Sequence, residues 1–267
     1  MQSNANHIPS TDHNPTVLYS QFLKDGLFAE ECHAVELSQK VVNQTNSCAV
    51  GLPLDDQEHE LAVMFLDIRG FTSWMEARPV REVITGVRRL FSVFNQIIKS
   101  FNGKTITMAG DSLYAVFGIG TGLREAAQQA YQAGHKLFET MDLFNKIYGV
   151  PYYGQPLEIG VGLNTGKVMI GQFGLDAHQQ QLSVMGLPVN IASRLQGETK
   201  NLNNDFIVAE ETYALLHDAV ATHEKRSVRL KGLTRVQDVR LAGKPYQYLL
   251  EASSPINDLA YLMAIAG

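Results

Sequence analysis

The sequence predicts an α+β fold, a ferredoxin-like sandwich in which helices flank a central mixed sheet. An uninterrupted apolar run at residues 61–66 has the length of a strand and is typical of one buried on both faces. Two long stretches with apolar residues at helical spacing, at about 79–101 and 123–148, enclose a hairpin at 104–117. Strand, helix, hairpin, helix and hairpin is the order of a ferredoxin-like sandwich.

Proline and glycine set the predicted boundaries of these elements. Pro79 fits the first turn of the first long helix, and Gly110 with Asp111 makes the tight turn of the hairpin. The second long helix ends before Pro151. Further strands are predicted at 157–164, 167–173 and 182–185, the first two being joined by a turn at 165–166, and a helix starts near residue 186.

Length and composition predict one main domain with short additions. The chain has 267 residues, of which 45% are hydrophobic, enough for one substantial core. Residues 1–55 are predicted to form an N-terminal appendage, with a disordered polar start followed by short amphipathic helices. The main domain is predicted at 56–252, and residues 253–267 read as a C-terminal docking tail.

Charge and cysteine content narrow the class of protein. The net charge of −5 comes without a dense run of Lys and Arg, so neither nucleic acid nor a membrane is expected as a partner. Cys32 and Cys48 are too few for a disulfide framework or a cysteine-based zinc site. No signal peptide and no apolar run of about 20 residues is found, so a cytoplasmic location is expected.

Four polar residues carry the predicted chemistry. Asp67 and Asp111 each lie where an apolar strand runs into a turn, which suits carboxylates that hold divalent metal ions. Asn190 and Arg194 are four residues apart, and therefore on one face of the predicted helix. An amide and a guanidinium can steady a phosphoryl group and the oxygen that attacks it. The combination predicts phosphoryl transfer assisted by metal ions.

Four segments contain the residues with the predicted chemistry or lie between them: Phe65-Leu-Asp-Ile-Arg-Gly-Phe-Thr72, Gly110-Asp-Ser-Leu-Tyr-Ala-Val-Phe-Gly118, Ile159-Gly-Val-Gly-Leu-Asn-Thr-Gly-Lys-Val-Met-Ile-Gly171 and Gly186-Leu-Pro-Val-Asn-Ile-Ala-Ser-Arg-Leu195. In their order and spacing they resemble the class III nucleotidyl cyclase domain, and the resemblance covers roughly residues 60–250. The resemblance implies an enzyme that converts a nucleoside triphosphate to a 3′,5′-cyclic nucleotide and pyrophosphate.

The resemblance also implies roles for individual residues. Two Mg²⁺ or Mn²⁺ ions per active site would bind Asp67 and Asp111, with help from the backbone carbonyl of Ile68, and Asn190 and Arg194 would stabilise the transition state. The turn of Gly70, Phe71 and Thr72 would contact the triphosphate through its backbone. Lys231 would bind the terminal phosphates, and Arg235 is the other candidate for that role. Because the family builds each site from two chains, the resemblance implies a homodimer.

The positions that read the base follow neither the adenine nor the guanine pattern of the family. They hold Thr107 and Ser183, two short hydroxyl side chains that can donate or accept a hydrogen bond. The resemblance to stand-alone bacterial pyrimidine cyclases of antiphage signalling slightly favours UTP or CTP as the substrate, giving cUMP or cCMP. An adenylate cyclase with a non-standard base pocket is the alternative, and a catalytically dead nucleotide-sensing module is the alternative of another class.

Overall fold

The computed structural model describes residues 58–173, 181–216 and 223–247. The predicted appendage at 1–55 and the predicted tail at 253–267 lie outside the described residues. The strands are β1 (Glu58–Ile68), β2 (Gly103–Ala109), β3 (Ser112–Phe117), β4 (Ile159–Phe173), β5 (Gln181–Met185), β6 (Phe206–Ala209), β7 (Glu224–Val228) and β8 (Gln237–Leu241). The helices are α1 (Phe71–Ala77), α2 (Val80–Ser100), α3 (Leu123–Phe144), α4 (Val150–Tyr153), α5 (Leu187–Asn201) and α6 (Glu210–Tyr213), with a π-helical turn at Asn145–Gly149.

The strands form one mixed eight-stranded sheet within the described residues. Its order is β2-β3-β1-β4-β6-β8-β7, and β5 pairs with β4 outside this path. The strands of each pair run antiparallel except β4 and β6, which are parallel. The segment from β1 to β4, with α2 and α3 as its connections, has the ferredoxin-like order. The predicted α+β fold with a central mixed sheet and flanking helices is confirmed.

Helices cover both faces of the sheet, as strand β6 shows. Its Phe206 ring lies against Tyr131 of α3, with ring centroids 5.5 Å apart. The next residue, Ile207, belongs to a buried cluster with Ile191 and Leu195 of α5. Because successive side chains of a strand point to opposite faces, α3 and α5 lie on opposite sides of the sheet.

Strand β4 differs from its prediction. The turn expected at Thr165 and Gly166 is absent, and one strand runs without interruption from Ile159 to Phe173. Strand β1 pairs with it on both sides of that point, with Leu61 opposite Gly166 and Glu58 opposite Met169. The Thr-Gly dipeptide is typical of turns, but here Gly166 takes a positive φ of 153° while β1 keeps the ladder continuous.

Helical structure does not end before Pro151 as predicted for the second long helix, because α3 ends at Phe144 but a π-helical turn leads into α4, which contains Pro151. Three other predicted boundaries lie close to the observed ones. Helix α2 begins directly after Pro79, and β2 and β3 flank the turn at Gly110 and Asp111. Helix α5 begins at Leu187, after Gly186. Among the described residues, no helix combines the length and the apolar content that crossing a membrane requires.

Candidate active site

Asp67 lies one residue before the end of β1, on the central part of the sheet. Its register partner on β3 is Ser112, whose Oγ donates a hydrogen bond of 2.7 Å to Asp67 Oδ1. The other oxygen, Oδ2, lies 3.6 Å from Nη1 of Arg69, and 22% of the Asp67 side chain is exposed. The strand and these two neighbours orient the carboxylate, while its exposed part can still take a ligand.

Asp111 reaches the same place from the turn between β2 and β3. Gly110 precedes it with a positive φ of 61°, a conformation that the tight turn requires and that favours glycine. The backbone N–H of Ile68 donates a hydrogen bond of 3.1 Å to the Asp111 carbonyl. This bond ties the turn to the end of β1, so the structure brings the two predicted metal-binding aspartates together.

The surroundings of Asp111 disfavour the charged form of its carboxyl group. Burial raises the pKa of the Asp111 carboxyl above its ordinary value, and the charge of Asp67 raises it further. A pair of neighbouring carboxylates favours a bound cation, which relieves their repulsion, and oxygen donors suit Mg²⁺ or Mn²⁺. No group of three His, Cys, Asp or Glu side chains lies at metal-binding distance among the described residues. Two carboxylates suit a Mg²⁺ or Mn²⁺ ion, which usually takes its other ligands from water and from phosphate oxygens of a substrate.

Asn190 and Arg194 lie on the N-terminal half of α5. Ile191, Ala192 and Leu195 of this helix are buried, whereas Asn190 is exposed and Arg194 is half-buried. A Cβ built on Gly232 would lie 3.2 Å from Arg194 Nη1, so the guanidinium lies beside the turn that contains Lys231. Asn190 and Arg194 thus share one side of the helix, as the spacing predicts.

The aspartate pair and the Asn190–Arg194 pair lie at different levels of β4. Close approaches to glycines of β4 show how α5 runs along the strand: Pro188 lies against Gly166, Gln196 against Gly162 and Thr199 against Gly160. Asn190 therefore lies near the level of residue 164, whereas Asp67 is the register partner of Gly160. Four residues along a strand correspond to about 13 Å. By this geometry, Asn190 and Asp67 of one chain lie at separate levels of the sheet.

A family comparison agrees with the four segments that carry the resemblance. The model of the adenylate and guanylate cyclase catalytic domain matches residues 55–252. The chain belongs to this cyclase family. The predicted membership of the class III nucleotidyl cyclase family is confirmed.

Curated relatives of this cyclase domain are longer proteins. Adenylate cyclase 1 of Rhizobium meliloti is 26% identical over 183 residues, which are 67% of this chain and 27% of that protein. An adenylate cyclase of Mycobacterium tuberculosis is 27% identical over 178 residues, 66% of this chain and 38% of its own length. The chain thus spans between about a quarter and two fifths of the length of these relatives.

Solved structures agree with the fold of the cyclase domain. The crystal structure of the adenylyl cyclase CyaB from P. aeruginosa has a TM-score of 0.63 and 26% identity, covering 69% of this chain and 94% of that chain. The guanylyl cyclase Cya2 also has a TM-score of 0.63, with 24% identity and coverage of 72% and 95%.

The predicted base-reading residues lie on strands that approach each other. Thr107 is exposed on β2, and Ser183 is half-buried on β5, next to the buried Val184. Strand β5 contacts β2, and the Tyr114 hydroxyl donates a hydrogen bond of 3.2 Å to the Val184 carbonyl. Their role in reading the base stays a prediction.

The predicted triphosphate contacts have different surroundings. Gly70 precedes α1 with a φ of 68°, Phe71 is half-buried and Thr72 is exposed. Lys231 and Arg235 are both exposed and lie between β7 and β8. Lys231 directly precedes Gly232, which lies beside the Arg194 guanidinium. These assignments, like that of the Ile68 carbonyl, stay predictions.

Arg69 is a residue of the site that sequence reasoning missed. Only 3% of its side chain is exposed, although it directly follows the end of β1. Its position two residues after Asp67 was an available signal, because a chain that stays extended past the strand end places two such side chains on one face. Its partners on α5 and near the end of the described chain could not be read from local sequence.

A separate cavity of about 680 Å³ lies between the end of α3 and the segment after β8, lined among others by His135, Asp205 and Lys244. Burial raises the pKa of Asp205 to about 6. None of the predicted site residues lines this cavity, so its volume says nothing about the nucleotide.

Proposed function

We propose that this chain is a nucleotidyl cyclase that converts a nucleoside triphosphate to its 3′,5′-cyclic monophosphate and pyrophosphate, with 56–252 as the catalytic domain. The observation that carries the proposal is the pairing of Asp67 and Asp111 by the bond from Ile68 to the hairpin turn. Membership of the cyclase family and the exposed side chains of the N-terminal half of α5 support it.

The proposed reaction is an in-line displacement at the α-phosphorus. The ribose 3′-oxygen forms a bond to phosphorus, the bond from phosphorus to the bridging oxygen breaks, and pyrophosphate leaves. The 3′-hydroxyl proton passes to solvent. Arg194 neutralises charge on the phosphorus at the transition state, and Asn190 orients the ribose. Two Mg²⁺ or Mn²⁺ ions, held by Asp67 and Asp111, would supply charge neutralisation at the hydroxyl and the phosphates.

The proposed active unit is a homodimer. Asp67 and Asn190 lie about 13 Å apart along β4 by strand geometry, so one chain supplies each half to a different site. Two chains related by a two-fold axis would then form two equivalent sites, with Asp67 and Asp111 from one chain and Asn190 and Arg194 from its partner.

Mixing inactive chains tests this arrangement. Asp67→Ala and Arg194→Ala are each expected to abolish activity, whereas an equal mixture of refolded or co-expressed chains is expected to regain it. Random pairing makes half of the dimers mixed, with one intact site each, so the rate is expected to reach about a quarter of the wild-type rate. No recovery in a mixture that demonstrably forms mixed dimers would contradict a shared site.

The substrate base is either a pyrimidine or adenine, and different observations favour each. The hydroxyls of Thr107 and Ser183, without the long donor of an adenine-reading site, favour a pyrimidine as in the antiphage cyclases that the chain resembles. The relatives named adenylate cyclase favour ATP. We propose UTP or CTP as the substrate and keep ATP as the second candidate.

The deciding experiment is pyrophosphate release by the full chain with Mn²⁺ and each of ATP, GTP, CTP and UTP, with the nucleotide products identified. A preference for UTP or CTP supports the pyrimidine proposal, and a preference for ATP supports the second candidate. If the chain binds a triphosphate but releases no pyrophosphate, the proposal of a cyclase is contradicted, and the nucleotide-sensing module becomes the supported alternative.

A further inference from the structure

The buried side chain of Arg69 contacts three parts of the fold through its three nitrogens: Tyr246, helix α5 and Asp67. Its Nε donates a hydrogen bond of 3.0 Å to the Tyr246 hydroxyl, and the guanidinium lies 5.5 Å from the centre of that ring. Its Nη2 donates to the Gln196 carbonyl at 3.1 Å and to Thr199 Oγ1. The third nitrogen, Nη1, lies 3.6 Å from Asp67 Oδ2. The guanidinium is therefore held mainly by α5 and Tyr246, and it meets Asp67 with the nitrogen that remains.

Gly160 of β4 makes room for this arrangement. A Cβ built on Gly160 would collide with the Arg69 guanidinium and would lie 2.7 Å from Thr199 Oγ1. Since Gly160 is the register partner of Asp67, the arginine crosses the strand next to the aspartate. A methyl group here would therefore displace the guanidinium, and the three atoms nearest to it belong to Arg69 and Thr199.

From these contacts we propose that Arg69 is a positioning residue, which holds Asp67 in the orientation that binds the catalytic cation by anchoring it to α5 and Tyr246. The inference rests on the proposed function. Ser112 orients one oxygen of Asp67 and Arg69 the other, and neither forms a bidentate pair that would occupy the carboxylate. Partners behind a metal ligand contribute by fixing its direction.

A charge effect would act in the opposite direction, and this makes the proposal testable. A cation near Asp67 repels a metal ion, so a residue that acted by charge alone would weaken metal binding, and its removal would strengthen it. A positioning residue acts by geometry, and its removal weakens metal binding. The two effects therefore predict opposite signs for Arg69→Met.

Three variants separate geometry from charge. Arg69→Lys keeps the charge and loses the planar fork, Arg69→Met loses both, and Gly160→Ala keeps Arg69 but displaces it. All three are expected to raise the Mn²⁺ concentration for half-maximal rate by about 10-fold to 100-fold, the usual effect of losing a partner of a metal ligand. At saturating Mn²⁺, the KM for the nucleotide is expected to stay within a factor of about two.

Arg240→Lys is the matched control, because Arg240 also binds a carboxylate, a backbone carbonyl and a tyrosine ring, but at Glu210 and far from Asp67 in the sheet order. It is expected to change thermal stability and to leave the Mn²⁺ dependence unchanged. Thermal unfolding of every variant shows whether it is folded.

Binding of Mn²⁺ alone, followed by the electron paramagnetic resonance signal of the free ion, gives a readout that does not depend on turnover. Weaker binding in folded Arg69→Lys, Arg69→Met and Gly160→Ala supports the proposal. Unchanged binding in the two folded arginine variants, or tighter binding in Arg69→Met, overturns it while wild-type turnover stands. A wild-type chain that neither binds Mn²⁺ nor cyclises any nucleotide would instead refute the proposed function.

Discussion

Two arginines of this domain bind similar sets of groups but leave their carboxylates in different states. Arg240 forms two hydrogen bonds to Glu210, of 2.6 and 2.8 Å, and a third to the His223 carbonyl. Arg69 uses its short bonds on Tyr246 and α5, and its closest approach to Asp67 is 3.6 Å. Each arginine also lies near a tyrosine ring.

The difference separates a structural carboxylate from one that is available for chemistry. A bidentate pair occupies both oxygens of Glu210, and the hydrogen bonds from Arg240 lower the pKa of that carboxyl. Ser112 donates to one oxygen of Asp67 and Arg69 lies near the other, and neither partner occupies both oxygens, so further coordination sites remain. An arginine beside an acidic side chain therefore serves stability in one place and, as proposed, ligand orientation in the other.

The largest expected effect comes from exchanging the carboxylates for amides. Asp67→Asn or Asp111→Asn is expected to lower turnover at least about a thousandfold, because several kcal/mol of metal-assisted stabilisation is lost. Glu210→Gln is expected to leave the rate within about twofold of wild type. Pyrophosphate release measures both, and light scattering checks that each variant keeps the oligomeric state of the wild type. Near-normal turnover of either aspartate variant would contradict the metal assignment.

A smaller effect is expected from a single hydroxyl behind Arg69. Thr199→Val keeps the shape and removes one of the two acceptors of Arg69 Nη2, so the Mn²⁺ concentration for half-maximal rate is expected to rise about fivefold, corresponding to one hydrogen bond. Thr212→Val is the control, since Thr212 is equally buried but bonds to Thr165. Equal changes in the two variants would mean that a buried hydroxyl acts through general stability alone.

The smallest expected effect is the pH dependence of the Glu210–Arg240 pair. Because Arg240 lowers the pKa of Glu210 in the folded state, the pair stabilises the fold above the usual glutamate range. This contribution is lost as the pH falls through the lowered pKa. The urea midpoints of wild type and Glu210→Gln are therefore expected to differ at neutral pH and to converge as the pH falls below the ordinary glutamate range. A difference that persists unchanged in acid would contradict the ionic origin.

The sequence predicted the position of the aspartate pair correctly, but it did not predict the full length of strand β4, which pairs with β1. Asp67 and Asp111 follow apolar strands within recognisable segments, and the structure brings them together. The expected turn at Gly166 was wrong because the dipeptide signal is local, whereas strand pairing with β1 is not. The roles of Thr107, Ser183 and Lys231 remain predictions, since a nucleotide would define their contacts.

By itself the sequence determined the class of fold, the family and the four polar residues of the proposed chemistry. These follow from the apolar run of β1, the helical periodicity of α2 and α3, and short segments whose residues are neighbours in the chain. The tertiary structure determined which residues contact Arg69, the arginine next to Asp67. Arg69 finds Thr199 130 residues away and Tyr246 177 residues away. Such partners depend on strand register and on how α5 packs along β4, and no local pattern encodes either.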